Sequence, residues 1–147
     1  MSEEDSELAQ IARRGYDAFN RGDLEASLAD LDPGIEWWPA SDEPITDPYR
    51  GHDGYRRLLA EAREGVPDLQ VEIEELYVVG DQVVTCVRFW GRGRDSGASV
   101  EIRETHLARV RQGKIIEVRE YREKHEALEA VGLRESGGPR ASPGPRG

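Results

Sequence analysis

Residues 98–118 read Ala98-Ser99-Val100-Glu101-Ile102-Arg103-Glu104-Thr105-His106-Leu107-Ala108-Arg109-Val110-Arg111-Gln112-Gly113-Lys114-Ile115-Ile116-Glu117-Val118. Successive side chains of a strand point to opposite faces, so the stretch divides into two sets. The odd positions from Glu101 to Arg111 are mostly charged, whereas the even positions Val100, Ile102, Glu104, His106, Ala108 and Val110 are mostly apolar. The even set is therefore the inner face. Glu104 and His106 then lie about 7 Å apart along the strand, among aliphatic neighbours. Gly113 leads into a last strand, Lys114 to Arg122. A two-residue turn at Gln112-Gly113 would place Glu117 and Arg119 inside, while a three-residue loop 111–113 with Gly113 left-handed places Ile116 and Val118 there. The apolar pattern favours the three-residue loop, with Val118 opposite His106 and Glu120 opposite Glu104. Two carboxylates and an imidazole share one interior patch in that register. Carboxylates this close cannot both ionise without cost, so one pKa should rise unless His106 is protonated between them or an Arg reaches in.

Working outward, Leu69, Val71 and Ile73 alternate with polar residues. The alternation slips at Glu74-Glu75 and resumes with Leu76 and Val78, the signature of a β-bulge. A two-residue turn at Gly80-Asp81 pairs Val79 with Gln82 and puts Val83, Thr85, Val87 and Phe89 on the face shared with Leu76 and Val78. Helices precede this meander. Leu8, Ile11, Ala12, Tyr16 and Phe19 form one stripe of a helix from Glu4 to Asn20, stopped by Gly22. Asp23 caps a short helix bearing Leu24, Leu28 and Leu31. Asp32-Pro33-Gly34 reads as a turn, Ile35 to Trp38 as a short strand, and the Pro- and Asp-rich stretch to Gly51 as a loop. Asp53 reads as the cap of a third helix, with Tyr55, Leu58, Leu59 and Ala62 on its apolar side and Gly65 at its end. A helical stub at 124–131 stops at Gly132. The fold class is α+β, in one domain over residues 1–134, with no internal repeat. Residues 135–147, rich in Gly, Pro, Ser and Arg, read as a disordered tail.

The 147 residues carry 30 Asp plus Glu against 20 Lys plus Arg, a net charge of −10, and 37% are hydrophobic. One globular core is the natural reading. The acidic balance argues against nucleic-acid and anionic-membrane partners, which are held by basic patches. Met1-Ser2-Glu3-Glu4-Asp5 has no basic or apolar leader and no stretch is long enough to span a bilayer, so a cytoplasmic location is expected. Cys86 is the one cysteine, so no internal disulfide forms. His52, His106 and His125 lack the short spacing of a metal motif, and no metal site is expected.

The order helix, short helix, short strand, helix, bent meander, helical stub resembles the SnoaL-like branch of the NTF2-like superfamily over residues 5–133. Tyr16-Asp17-Ala18-Phe19-Asn20-Arg21-Gly22-Asp23, Ile35-Glu36-Trp37-Trp38, Tyr49-Arg50-Gly51-His52-Asp53-Gly54 and Gly113-Lys114-Ile115-Ile116 look like that family in order and spacing. The resemblance implies a cone, in which N-terminal helices pack into a strongly curved, mainly antiparallel sheet around a pocket, and often a dimer through the sheet. Relatives similar to ketosteroid isomerase place a carboxylate base at the end of the first strand, where Trp38 stands here. Counting back from Gly113 brings His106 to the place of their protonated acid, and Tyr16 approximates their helix-one tyrosine. Relatives similar to limonene-epoxide hydrolase need an Arg flanked by two Asp in the cone, and Arg103 reads as outward.

Two functions stay open. In the first, the cone performs cofactor-independent acid-base catalysis of the isomerase, cyclase or dehydratase type on a largely apolar carbonyl or hydroxyl compound. His106 is the general base or acid, Glu104 or Glu120 its partner, and Tyr16 the donor to a developing oxyanion. Trp38, Phe19, Val118, Ile102, Phe89 and Leu59 line the substrate pocket. In the second, the cone binds an apolar ligand or dimerises and no bond breaks. A buried His–carboxylate pair is also a common way to satisfy a core histidine. Trp90, with Arg88, reads as facing outward, where a second copy or a helix of the same chain would cover it.

Overall fold

Ser6 accepts a hydrogen bond from Ala9 N and starts α1, Glu7–Arg21, which ends where Gly22 turns left-handed at φ 69°. The computed structural model describes residues 6–40 and 47–133. The predicted start at Glu4 and the predicted disordered tail, residues 135–147, lie outside them. Asp23 caps α2, Leu24–Ala29. Then follow β1 (Leu31–Trp38), β2 (Tyr49–Arg50), α3 (Gly51–Gly65), β3 (Gln70–Val79), β4 (Gln82–Arg92), β5 (Ser99–Arg111), β6 (Lys114–Tyr121) and α4 (Lys124–Ala130). The strands form one curled, unclosed sheet in the order β2-β1-β6-β5-β4-β3, antiparallel except for the parallel pair β1–β6. This is the expected α+β cone, with α1 and α3 laid into the curl.

Four local details differ from the sequence reading, the first being that Leu31 opens β1 instead of lying on the short helix, which ends at Ala29. Asp32-Pro33-Gly34 lies inside β1, in the stretch where its pairing with β6 is interrupted, Leu31 facing Ile115 and the next pair being Glu36 with Glu117. Tyr49–Arg50, read as loop, pairs with Trp37 and Glu36 as the edge strand β2. Arg50 then occupies the N-cap position of α3, and Asp53 sits in the first turn, where it pairs with Arg56 at 2.7 Å instead of capping.

The meander follows the predicted alternation. Val79 pairs with Gln82, Leu76 with Thr85 and Val71 with Phe89, and the β3–β4 register shifts between Ile73 and Glu75. The last hairpin departs from expectation. Gln112 and Gly113 form a two-residue turn, both at positive φ (52° and 78°), pairing Arg111 with Lys114 and Val110 with Ile115. The ladder then shifts so that Arg109 faces Glu117, and Ile116 is the extra residue. Val118 consequently faces Ala108, not His106, and Glu120 faces His106, not Glu104. An extra residue in the strand restores the same facing as one in the loop. Val118 still points inward and is 3% exposed.

Two apolar clusters fill the curl. Ile11, Leu28, Leu31, Ile35, Tyr55, Val110, Ile115 and Val118 form one, and Phe19, Leu69, Val71 and Val87 the other. Each aliphatic side chain fully withdrawn from water contributes roughly 1.5–3 kcal/mol. Asn20 clamps the end of α1 to β3, donating to Val71 O and accepting from Val71 N, both at 2.8 Å. That clamp sets the depth of Tyr16 and Phe19. On the outer face, Ala127 and Leu128 of α4 bury Val84 and Leu107. A helix of the same chain thus covers part of the sheet's back, which explains why Leu107 sits among odd positions that are mostly charged. Trp90 lies apart from it, beneath the Arg88 guanidinium at 4.4 Å. No helix among the described residues is long and apolar enough to cross a membrane.

Candidate active site

His106 stands at the middle of β5, with Thr85 directly opposite on β4 and Glu120 directly opposite on β6. The sheet's curl brings α1 over this row. Tyr16 Oη then lies 2.8 Å from His106 Nδ1 and 2.8 Å from Thr85 Oγ1. The other ring nitrogen, Nε2, is 3.0 Å from Glu104 Oε1 and 4.0 Å from Glu120 Oε2. A single polar chain runs from Thr85 through Tyr16 and His106 to Glu104. His106 is only 2% exposed, so both nitrogens depend on these partners.

Glu120 is fixed independently, accepting from Trp37 Nε1 at 2.6 Å and from Ala40 N at 3.3 Å. Burial pushes its carboxyl above the ordinary range; the charge of His106 pulls it back, and that of Glu104 pushes it up again. One raised carboxyl of a close pair is what the sequence reading anticipates. Burial also raises the Tyr16 phenol, with the Thr85 hydrogen bond opposing. Tyr16 therefore stays a neutral phenol across the physiological range and can act as a hydrogen-bond donor.

The chain faces a cavity of about 310 Å³. Tyr16, Glu104, His106 and Glu120 all line it, together with Phe19, Leu59, Phe89, Ile102 and Val118. Ile102 is 48% exposed and therefore belongs to the mouth. Trp38, expected on the wall, is not there. It lies under the Arg119 guanidinium at 4.6 Å, and Trp37 takes the wall position, its ring 5.7 Å from that of His106. Ile35 is buried in the core, and two residues along a strand Trp37 shares its face. That parity was the readable signal. Thr85, already assigned to the inner face, and Tyr55 on the third helix also line the cavity. Nothing in the sequence marks a strand threonine as a partner for a distant tyrosine.

The ligand atoms of Glu104, His106 and Glu120 lie within 4.8 Å of one another, a set able to hold a divalent ion. Histidine spacing alone misses this set, because two of its three donors are carboxylates and they come from two strands.

The SnoaL-like domain matches residues 12–118. The chain belongs to the SnoaL-like family. No curated protein matches it significantly. Among solved structures, an NTF2-like protein of unknown function from Burkholderia pseudomallei is 20% identical, with 87% of this chain and 99% of that one covered at a TM-score of 0.71. A candidate SnoaL-like polyketide cyclase from Jannaschia sp. CCS1 is 21% identical, covering 92% and 98% at 0.71. A protein with the ketosteroid-isomerase-like fold from Catenulispora acidiphila, solved with trimethylamine, is 17% identical, covering 84% and 93% at 0.67. These likenesses concern the SnoaL-like fold; the chemistry of this chain has to come from its own side chains.

Proposed function

We propose that this SnoaL-like protein binds a small, largely apolar carbonyl or hydroxyl compound in the cone and moves a proton on it without a cofactor. The observation that carries the reading is the chain Glu104–His106–Tyr16–Thr85, in which each link is within 3.0 Å, set in the wall of an apolar cavity.

The proton inventory of this chain supports the roles. When Nδ1 carries a hydrogen it donates to Tyr16 Oη, and Thr85 donates to the same oxygen. The phenol hydrogen is then free to reach a substrate oxygen. In that tautomer Nε2 carries only a lone pair, flanked by Glu104 and Glu120, and its 3.0 Å contact with ionised Glu104 becomes a hydrogen bond when an abstracted proton sits between them. A proton leaving the carbon beside a carbonyl passes to the Nε2–Glu104 pair, and the electrons it leaves become an enolate whose oxygen accepts from Tyr16. Returning the proton at another position completes an isomerisation; closing a bond from the enolate carbon completes a cyclisation. The two carboxylates stabilise the imidazolium formed on the way.

The reading is tested by deuterium uptake next to the carbonyl of acetophenone, 1-tetralone and 2-indanone in D₂O, followed by NMR. Uptake catalysed by the wild type and lost in His106→Ala is expected, with no loss after EDTA treatment. Uptake that persists in His106→Ala would overturn it. The expected homodimer through the outer sheet face rests on Trp90, which lies beyond the cover of α4; Trp90→Glu should then yield a monomer by sedimentation.

A further inference from the structure

Beyond the proton chain, a second polar group lines the cavity. Ser27 of α2 is 4% exposed and lines the cavity, and its Oγ has no hydrogen-bond partner. A buried hydroxyl without a partner costs roughly 1–3 kcal/mol, so its persistence asks for a reason. Ser27 lies beside Tyr55, close enough to temper the rise that burial imposes on that phenol, yet the two do not bond with proper geometry. Tyr55 is 7% exposed and also lines the cavity. Trp37 stands beside both groups, its ring 5.6 Å from the Tyr55 ring and 5.7 Å from the His106 ring. A flat molecule laid along Trp37 therefore meets the Tyr55 phenol beside one part of it and the acid–base chain beside another.

The charge of the wall narrows the ligand further. Among the described residues lining the cavity two are Glu and none is Lys or Arg. A carboxylate or phosphate would enter with no cation to pair with and two acids nearby.

Resting on the proposed proton-transfer pocket, we infer that Ser27 and Tyr55 form a second anchor for an uncharged ring compound bearing an oxygen at each end. Hydroxyls both donate and accept, so a phenol, alcohol or ketone oxygen is satisfied there equally. Ser27 and Tyr55 are specificity residues, touching the ligand away from the bond that reacts.

The test compares 2-naphthol, 2,6-dihydroxynaphthalene and 6-hydroxy-2-naphthoic acid by calorimetric titration of the full chain. The diol should bind about tenfold more tightly than 2-naphthol, the worth of one well-made buried hydrogen bond, and the acid more weakly than either. Ser27→Ala and Tyr55→Phe, each checked for an intact melting transition, should cut the diol's advantage over 2-naphthol to about threefold or less. Equal binding of diol and 2-naphthol, no binding of the diol, or an advantage that survives both variants would overturn the anchor. Titration needs no turnover, so the two readings fail separately. A protein that favours the diol through Ser27 but exchanges no deuterium loses proton transfer alone. One that exchanges deuterium yet ignores the second oxygen loses the anchor alone.

Discussion

Glu120 stands directly across the β5–β6 ladder from His106, its Oε2 4.0 Å from Nε2 and held there by the Trp37 indole. Burial, helped by Glu104, raises this carboxyl's pKa in the folded protein. A carboxyl raised on folding binds more protons folded than unfolded. Its contribution is full below the unfolded pKa and is lost as pH rises through the folded one. Glu120→Gln removes that loss. The melting temperature of the variant relative to wild type should therefore climb as pH rises from about 4, across the range in which the raised carboxyl ionises. Parallel calorimetric profiles for the two proteins over that range would show that the Glu120 carboxyl is not strained as described.

Tyr16→Phe deletes the middle of the chain and leaves His106 Nδ1 buried with no partner in the structure. Stability should fall by about 1–3 kcal/mol in denaturant titrations. Catalysed deuterium uptake should fall further, by about a hundredfold or more, because the lost hydroxyl is the donor to the enolate oxygen. Thr85→Val keeps that donor and should cost less activity than Tyr16→Phe. A Tyr16→Phe protein with full exchange activity would reduce the phenol to a structural brace.

The neighbours Trp37 and Trp38 should report binding differently. Trp37 lines the cavity and Trp38 packs under Arg119 on the other side of the strand. Acetophenone added to Trp38→Phe should quench fluorescence as in wild type, whereas Trp37→Phe should lose most of the ligand-dependent change. Beside the charge of His106, the Trp37 hydrogen bond also lowers the Glu120 pKa, so in Trp37→Phe that carboxyl should rise further. Equal quenching in both variants would place the ligand outside the cone.

Much of this arrangement is legible in the residues, and the parts that are not have a common cause. The even face of β5, the slip at Glu74 and the stop at Gly22 follow from side-chain alternation and backbone sterics, and each stands as read. The last hairpin does not, because Ile115 and Ile116 are both apolar. Either can be the extra residue, so the pattern fixes which way Val118 and Glu120 face but not what they face. The partner of His106 was consequently displaced by two positions. For Trp37 and Trp38 the parity with Ile35 decides, since Trp37 shares the buried face of Ile35 and Trp38 does not. Contacts such as Tyr16 with Thr85 and Ser27 beside Tyr55 join residues far apart in the chain, and composition and periodicity say nothing about pairs of that kind.

Gly54 is where the frame of the cavity is least forgiving. Strand β2 is two residues long and α3 starts at once, so the helix doubles back over its own approach. A Cβ on Gly54 would lie 2.8 Å from the Tyr49 carbonyl carbon and 3.3 Å from its Cα, atoms of a backbone paired to β1. Backbone cannot swing aside as a flexible side chain does. Gly54→Ala should therefore push α3 outward at a cost of roughly 1–3 kcal/mol, seen as a drop of several degrees in melting temperature. Because α3 carries Tyr55, Leu58 and Leu59 to the cavity, 2,6-dihydroxynaphthalene should also bind more weakly. Gly15 supplies the opposite sign. It lies inside α1 with nothing within 4 Å of an added Cβ, so Gly15→Ala should stabilise by roughly 0.5–1 kcal/mol through lost freedom of the unfolded chain. Should Gly54→Ala melt no lower than Gly15→Ala, the close approach of α3 to Tyr49 would not be what seats the helix.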